Sequence, residues 1–206
     1  MRDFLNYFGQ LRMYSLVDLI LLLVVIGTGT EQLIGAVVLH IAFLVFLESR
    51  HSHSYRKQTP EWISYILAIF GLVLYGKIEG FIYLIFSYLY TKKNKGTAFM
   101  SPLVRGFQNF FIVAGIIGYQ NPITYLAGGL LCLRNLAGDL RDTEKDRGEN
   151  MRTVPVILGI RKSIKHIHLV AMIATSVVWW SLSSISIYWL LLVILIEVST
   201  YYLTPR

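Results

Sequence analysis

Eight apolar runs divide this chain, at about 14–29, 32–47, 62–76, 78–90, 103–119, 122–137, 167–183 and 185–203. Runs of this length need cover on every side, and eight of them exceed what one soluble core of 206 residues accommodates. With 55% of residues hydrophobic and only 15% charged, the pattern predicts an all-α, polytopic bundle of eight transmembrane helices. Helices are expected because lipid satisfies no backbone polar group, so each span must pair its own. Several runs are shorter than the roughly 20 residues that cross a bilayer upright. Tight hairpins, helices extending into interfacial residues or a locally thin membrane would accommodate them. No linker or low-complexity tract interrupts the pattern, so residues 1–206 are expected to form one domain. The single cysteine, Cys132, excludes an intrachain disulfide, and Met1 to Arg12 lack the apolar core of a cleaved secretory signal.

The connections test this division independently. Short turns near 29–31, 76–79, 120–121 and 183–184 hold one basic residue, Lys77. The amino terminus, segments 48–61, 92–105 and 134–165, and the carboxyl end hold the other 18 of 19. Because Lys and Arg concentrate in cytoplasmic loops, both termini and every long loop are expected in the cytoplasm. The expected location is the plasma membrane of a prokaryote. The net charge of +7 is therefore a topological signal, and the chain lacks the groove-reading motif of a nucleic-acid binder. Long loops on one side of a rigid bundle are also where chemistry is commonly placed.

One of those segments, Arg134 to Gly159, reads RNLAGDLRDTEKDRGENMRTVPVILG. Asn135, Asp139, Asp142 and Asp146 are spaced four, three and four residues apart, and a helix advancing about 100° per residue puts them on one face. Three carboxylates within two turns repel each other unless a cation holds them. Mg²⁺ held by carboxylates commonly completes its shell with water and phosphate oxygens, so the stripe points to a diphosphate site.

The pattern D-x2-D-x3-D, preceded by Arg134-Asn135 and followed by Gly148 and Arg152-Thr153-Val154-Pro155-Val156, resembles the second aspartate motif of the UbiA superfamily of intramembrane prenyltransferases. The resemblance extends over nearly the whole chain, with eight spans where family members commonly have nine. It implies transfer of an isoprenoid chain from a prenyl diphosphate to a small aromatic or lipid acceptor within the bilayer. Asp139, Asp142 and Asp146 would hold Mg²⁺, and Asn135, Arg105, Arg152 and loop lysines would position phosphate. A UbiA-like terpene cyclase, using the diphosphate alone, and a non-catalytic prenyl-lipid-binding subunit are the alternatives.

The family's first aspartate motif has its counterpart at the end of the second span, where Leu47-Glu48-x2-His51-x3-Tyr55 keeps the spacing but replaces the asparagine and all three aspartates. Three readings of Glu48, Arg50, His51 and His53 stand side by side. Protonated histidine and arginine would contact phosphate directly; Glu48 and the histidines would bind a transition metal; or the loop is simply solvated. Lys93 and Lys95, in Tyr90-Thr91-Lys92-Lys93-Asn94-Lys95, resemble the lysine-rich loop by which family members grip diphosphate, and equally fit a topological signal. Arg105 and Asn109, one turn apart at the mouth of the fifth span, are expected to face inwards with Gln108, because polar side chains are costly to present to lipid. Arg152 follows the aspartate helix and is a better phosphate candidate than Arg161, Lys162 or Lys165. Asp18 and Glu197 fall inside spans, where either a function or pairing near the interface accounts for an ionisable group. Tyr83, Phe86, Phe110, Trp179 and Trp180 fit a prenyl pocket or ordinary packing.

Overall fold

The computed structural model describes residues 12–50, 59–92 and 95–203, and all regular structure among them is helical. The long helices are α1 (Met13–Val25), α2 (Thr30–Ser49), α3 (Glu61–Tyr75), α4 (Ile78–Thr91), α5 (Ser101–Ile117), α6 (Pro122–Gly148), α8 (Ile167–Ser181) and α9 (Ile187–Leu203). A 3₁₀ turn (Ala98–Met100) leads into α5, and the short α7 (Val154–Ile157) lies between α6 and α8. Each apolar run of the sequence thus corresponds to one long helix.

Local chemistry sets several boundaries. Gly76 ends α3 at φ 66°, the left-handed conformation that favours glycine. Asn121 caps α6 by accepting a hydrogen bond from the Ile123 amide at 3.0 Å, and Pro122 occupies the first turn, where its missing N–H is not needed. The expected sixth span, 122–137, is the first part of a 27-residue helix about 40 Å long. Its last three turns carry the aspartates.

The helices close into a ring. α1 packs on α2, α2 on α4, α4 on α5, α5 on α6 and α6 on α8, while α9 bridges α8 and α1; α3 lies outside, chiefly against α2. Leu22, Leu39, Phe43, Tyr83, Ile112, Val113, Ala127 and Trp179 belong to one buried core. Two glycines let α5 and α6 approach closely. A Cβ on Gly106 would stand 2.9 Å from the Gly128 carbonyl oxygen, and one on Gly128 would stand 3.2 Å from the carbonyl of Gly106. That contact brings Arg105 and the aspartate face of α6 to one end of the bundle.

Two helical stretches, Thr30–Ser49 and Ala98–Ile117, are each 20 residues long and apolar enough to cross a membrane. The other apolar helices are shorter. Large apolar side chains nevertheless cover the outside, among them Val73 (74% exposed), Ile69, Tyr188 and Leu195.

Candidate functional site

A cavity of about 390 Å³ opens at one end of the ring. Its wall comes from the amino-terminal ends of α1, α5 and α8 and the carboxyl-terminal ends of α2, α4 and α6. An up-and-down bundle places those ends together, and they are the ends that border the basic loops. Asn135, Asp139, Asp142 and Asp146 all line it, so the expected helical face is a cavity wall. Asp139 and Asp146 are buried and Asp142 is half-buried.

Opposite and around this wall stand Arg12, Arg50, Arg105, Arg134, Arg141 and Lys145, six basic side chains to the four acidic ones that also line the cavity, Asp139, Asp142, Asp146 and Glu149. A cavity with a surplus of guanidinium groups on its wall favours a multiply charged anion, because bidentate Arg contacts are among the strongest hydrogen bonds to phosphate.

Several of these groups are held in place. Arg105 packs over the rings of Phe43 and Tyr90, 4.7 and 5.3 Å from their centroids, and donates to the Gln108 side-chain carbonyl. Gln108 in turn donates to the Ser87 hydroxyl at 2.5 Å. Asn135 accepts from Tyr90 Oη at 3.3 Å and donates to Ser101 Oγ at 3.0 Å. Arg141 grips Asp142 with two groups, one contact being Nε to Oδ1 at 2.7 Å, and its Nη1 lies 2.9 Å from Nδ1 of His168. Burial opposes the charge of Arg141, but its hydrogen bonds to Asp142 and that carboxylate's charge outweigh burial, so it holds its proton more tightly than a free arginine.

Below the cavity floor lies a second ionic cluster. Arg134 Nη1 is 2.6 Å from Asp18 Oδ2, its Nη2 is 3.8 Å from Glu197 Oε1, and Ser176 donates to that same oxygen at 3.1 Å. The two ionisable groups that the sequence places inside spans are thus paired with an arginine that reaches the cavity.

The other expected site residues are less central. Asn109 is buried but turns to the Ala127 carbonyl at 3.2 Å, fastening α5 to α6 without lining the cavity. Lys95 and Arg152 are exposed and off the cavity wall; the Arg152 amide donates to the Lys95 carbonyl at 3.1 Å, joining the two loops. Glu48 is buried, 3.8 Å from Arg12, next to wall residue Leu47. His51, His53 and Lys93 lie outside the described residues. Of the aromatic candidates, Tyr83 and Trp179 are core side chains, while Phe86 and Phe110 stack within an aromatic group on α4, α5 and α6. None of these lines the cavity.

The donor set suits a hard cation, since carboxylate oxygens are the ligands Mg²⁺ prefers. Among the described residues, however, no three His, Cys, Asp or Glu side chains are gathered closely enough to hold a metal by themselves. Asp139, Asp142 and Asp146 therefore are not assembled as a complete three-ligand set. They fit the arrangement in which one or two carboxylates share the ion with substrate phosphate.

Arg134, Arg141, Tyr14, Ser15 and Tyr90 were not singled out from the sequence as binding residues. Two of them carried a usable signal: Arg134 and Arg141 are seven residues apart, two turns along the aspartate helix, and fall beside its acidic stripe. Comparison with protein-family models, curated proteins and solved structures gave no match, so the functional reading of this cavity rests on its own chemistry.

Proposed function

We propose that this chain is a UbiA-type intramembrane prenyltransferase, which moves an isoprenoid chain from a prenyl diphosphate to a small aromatic or lipid acceptor with the help of Mg²⁺. The observation that carries this reading is the convergence of Asn135, Asp139, Asp142 and Asp146 with five arginines and Lys145 on one cavity. Acidic groups alone would suit a cation and arginines alone an anion; both together suit a metal diphosphate.

Eight membrane-spanning helices go with this reading. The apolar outer surface would face lipid, and the basic loops would put the cavity mouth at the cytoplasmic face. Helices of 13 to 17 residues cover about 20 to 26 Å, short of a 30 Å hydrocarbon core, so interfacial residues or local thinning would complete the crossing.

In the proposed reaction Arg105 and Arg134 bind phosphate oxygens from the bilayer side, and Arg141 and Lys145 from the helix that bears the carboxylates. One or two of Asp139, Asp142 and Asp146 would hold Mg²⁺ together with the donor's phosphate oxygens, and the ion when bound supplies Lewis-acid stabilisation of the departing diphosphate. The ring of helices excludes water from the allylic carbon, so that the acceptor captures it.

The test is purified protein in detergent with Mg²⁺ and farnesyl or geranylgeranyl diphosphate, with and without lipid extract as acceptor source, followed by pyrophosphate release and mass spectrometry of products. Prenylated product supports the transfer reading, and a cyclised or rearranged product from the diphosphate alone indicates a cyclase. Binding without turnover would move the assignment to a prenyl-lipid-binding subunit, a second reading favoured by the grip of Arg141 on Asp142. No binding of either diphosphate would end all three.

A further inference from the structure

A buried imidazole is wired to the cavity wall. His40, on α2, is 5% exposed and has both ring nitrogens engaged: Nδ1 is 2.7 Å from the Tyr83 hydroxyl on α4, and Nε2 is 3.1 Å from the Ser15 hydroxyl on α1. Ser15 lines the cavity. Its hydroxyl also lies 3.0 Å from the Arg12 carbonyl, so rotation about one bond points its proton either to that carbonyl or to His40. When Nδ1–H donates to Tyr83, Nε2 is free to accept from Ser15. The result is a two-step path for a proton from the cavity into the bundle.

Alkylation of a hydroxyl-bearing acceptor needs such a path. The allylic C–O bond breaks and its electron pair leaves with diphosphate, the acceptor oxygen forms the new bond to carbon, and the acceptor's proton must go elsewhere. Building on the prenyl-transfer reading, we propose that this proton passes to Ser15 as the proton of Ser15 passes to Nε2 of His40. The charged groups that face His40 are the guanidiniums of Arg105 and Arg134, with Tyr83 and Ser15 its polar neighbours. Both arginines line the cavity, so a diphosphate bound to them is also the counter-charge for an imidazolium at His40. Proton removal is thereby coupled to an occupied donor site.

The experiment is ¹⁵N NMR of the full chain labelled at histidine, in detergent, titrated over about pH 5 to 8 with and without saturating inorganic pyrophosphate and Mg²⁺. His40→Gln identifies the signal by its loss; should that variant not fold, Tyr83→Phe identifies it through the Nδ1 contact. We expect pyrophosphate to raise the titration midpoint of His40 by about one pH unit or more, a tenfold gain in proton affinity. In the product-forming assay above, Ser15→Ala is expected to lower kcat about 100-fold with the donor KM unchanged. Pyrophosphate binding that leaves the His40 midpoint in place would overturn the relay alone, as would full kcat in Ser15→Ala. Absence of pyrophosphate binding would overturn the diphosphate reading and the relay with it.

Discussion

The guanidinium of Arg134 stands 2.6 Å from the carboxylate of Asp18, a contact between the aspartate helix and the first helix that is almost wholly shielded from water. Glu197 of α9 lies 3.8 Å from the same guanidinium. The cluster ties three helices to the floor of the cavity and leaves two carboxylates dependent on one cation.

Removing that cation should cost far more than removing either carboxylate. Arg134→Ala strands two acidic groups in a dry interior, a loss of about 3–5 kcal/mol for a broken buried pair. Asp18→Asn leaves Arg134 with Glu197 and should be milder. Thermal unfolding in detergent reads both, and equal midpoints for the two variants would show that Arg134 does not anchor the cluster.

The two sides of α6 should differ in the same way for activity. Asp142 faces the cavity, whereas the Glu144 carboxylate accepts from the Ser163 amide at 3.3 Å and its own amide bonds Ser163 Oγ at 2.9 Å, outside the cavity. Asp142→Asn is expected to abolish Mg²⁺-dependent diphosphate release, and Glu144→Gln to change it less than about threefold, in keeping with a surface substitution of small effect. Similar rates in the two variants would remove the acidic face from the reaction.

The distribution of 18 of 19 basic residues on one side of the helix pattern predicts topology. Reporter fusions at Thr91, Gly148 and Arg206 should report cytoplasm, and one at Asn121 the opposite side. A non-cytoplasmic Gly148 is incompatible with eight spans.

On the proposed prenyltransferase reading His51 stands at an aspartate position of the first motif with His53 close by in sequence, and their protonated rings would bind phosphate without a second metal. The protonated form is lost as pH rises through about 6 to 7 for an unperturbed histidine, so donor affinity should weaken over that window. The Mg²⁺ requirement should persist. Isothermal titration of the wild type and of the His51→Ala, His53→Ala double variant checks this: the variant should lose the pH dependence, and unchanged affinity and profile would assign the loop to solvent.

Apolar run length and the acidic stripe survive translation into three dimensions because both are helix-local properties. A run of apolar residues buries itself as one helix, and side chains at intervals of three and four share a face whatever packs against it. That is why the eight long helices and the shared wall of Asn135, Asp139, Asp142 and Asp146 were legible from the sequence. Asn109 shows where this stops. A polar side chain on an apolar helix is expected to turn inwards, but whether it meets a ligand or the Ala127 carbonyl depends on how closely α5 approaches α6, which the paired glycines set.

The sequence by itself determined the helical class, the division into long helices and the register of the carboxylates. Only the tertiary structure decided which cations meet them: Arg12, Arg105, Arg134 and Arg141 come from positions 12 to 141 and converge because α1, α5 and α6 bring particular ends together. It also decided that Asp18 and Glu197 serve one arginine, and that Ser15, His40 and Tyr83 form a chain. These are contacts between helices distant in sequence. Their geometry is set by close packing of side chains and glycines at helix crossings, which no periodicity within a single helix encodes.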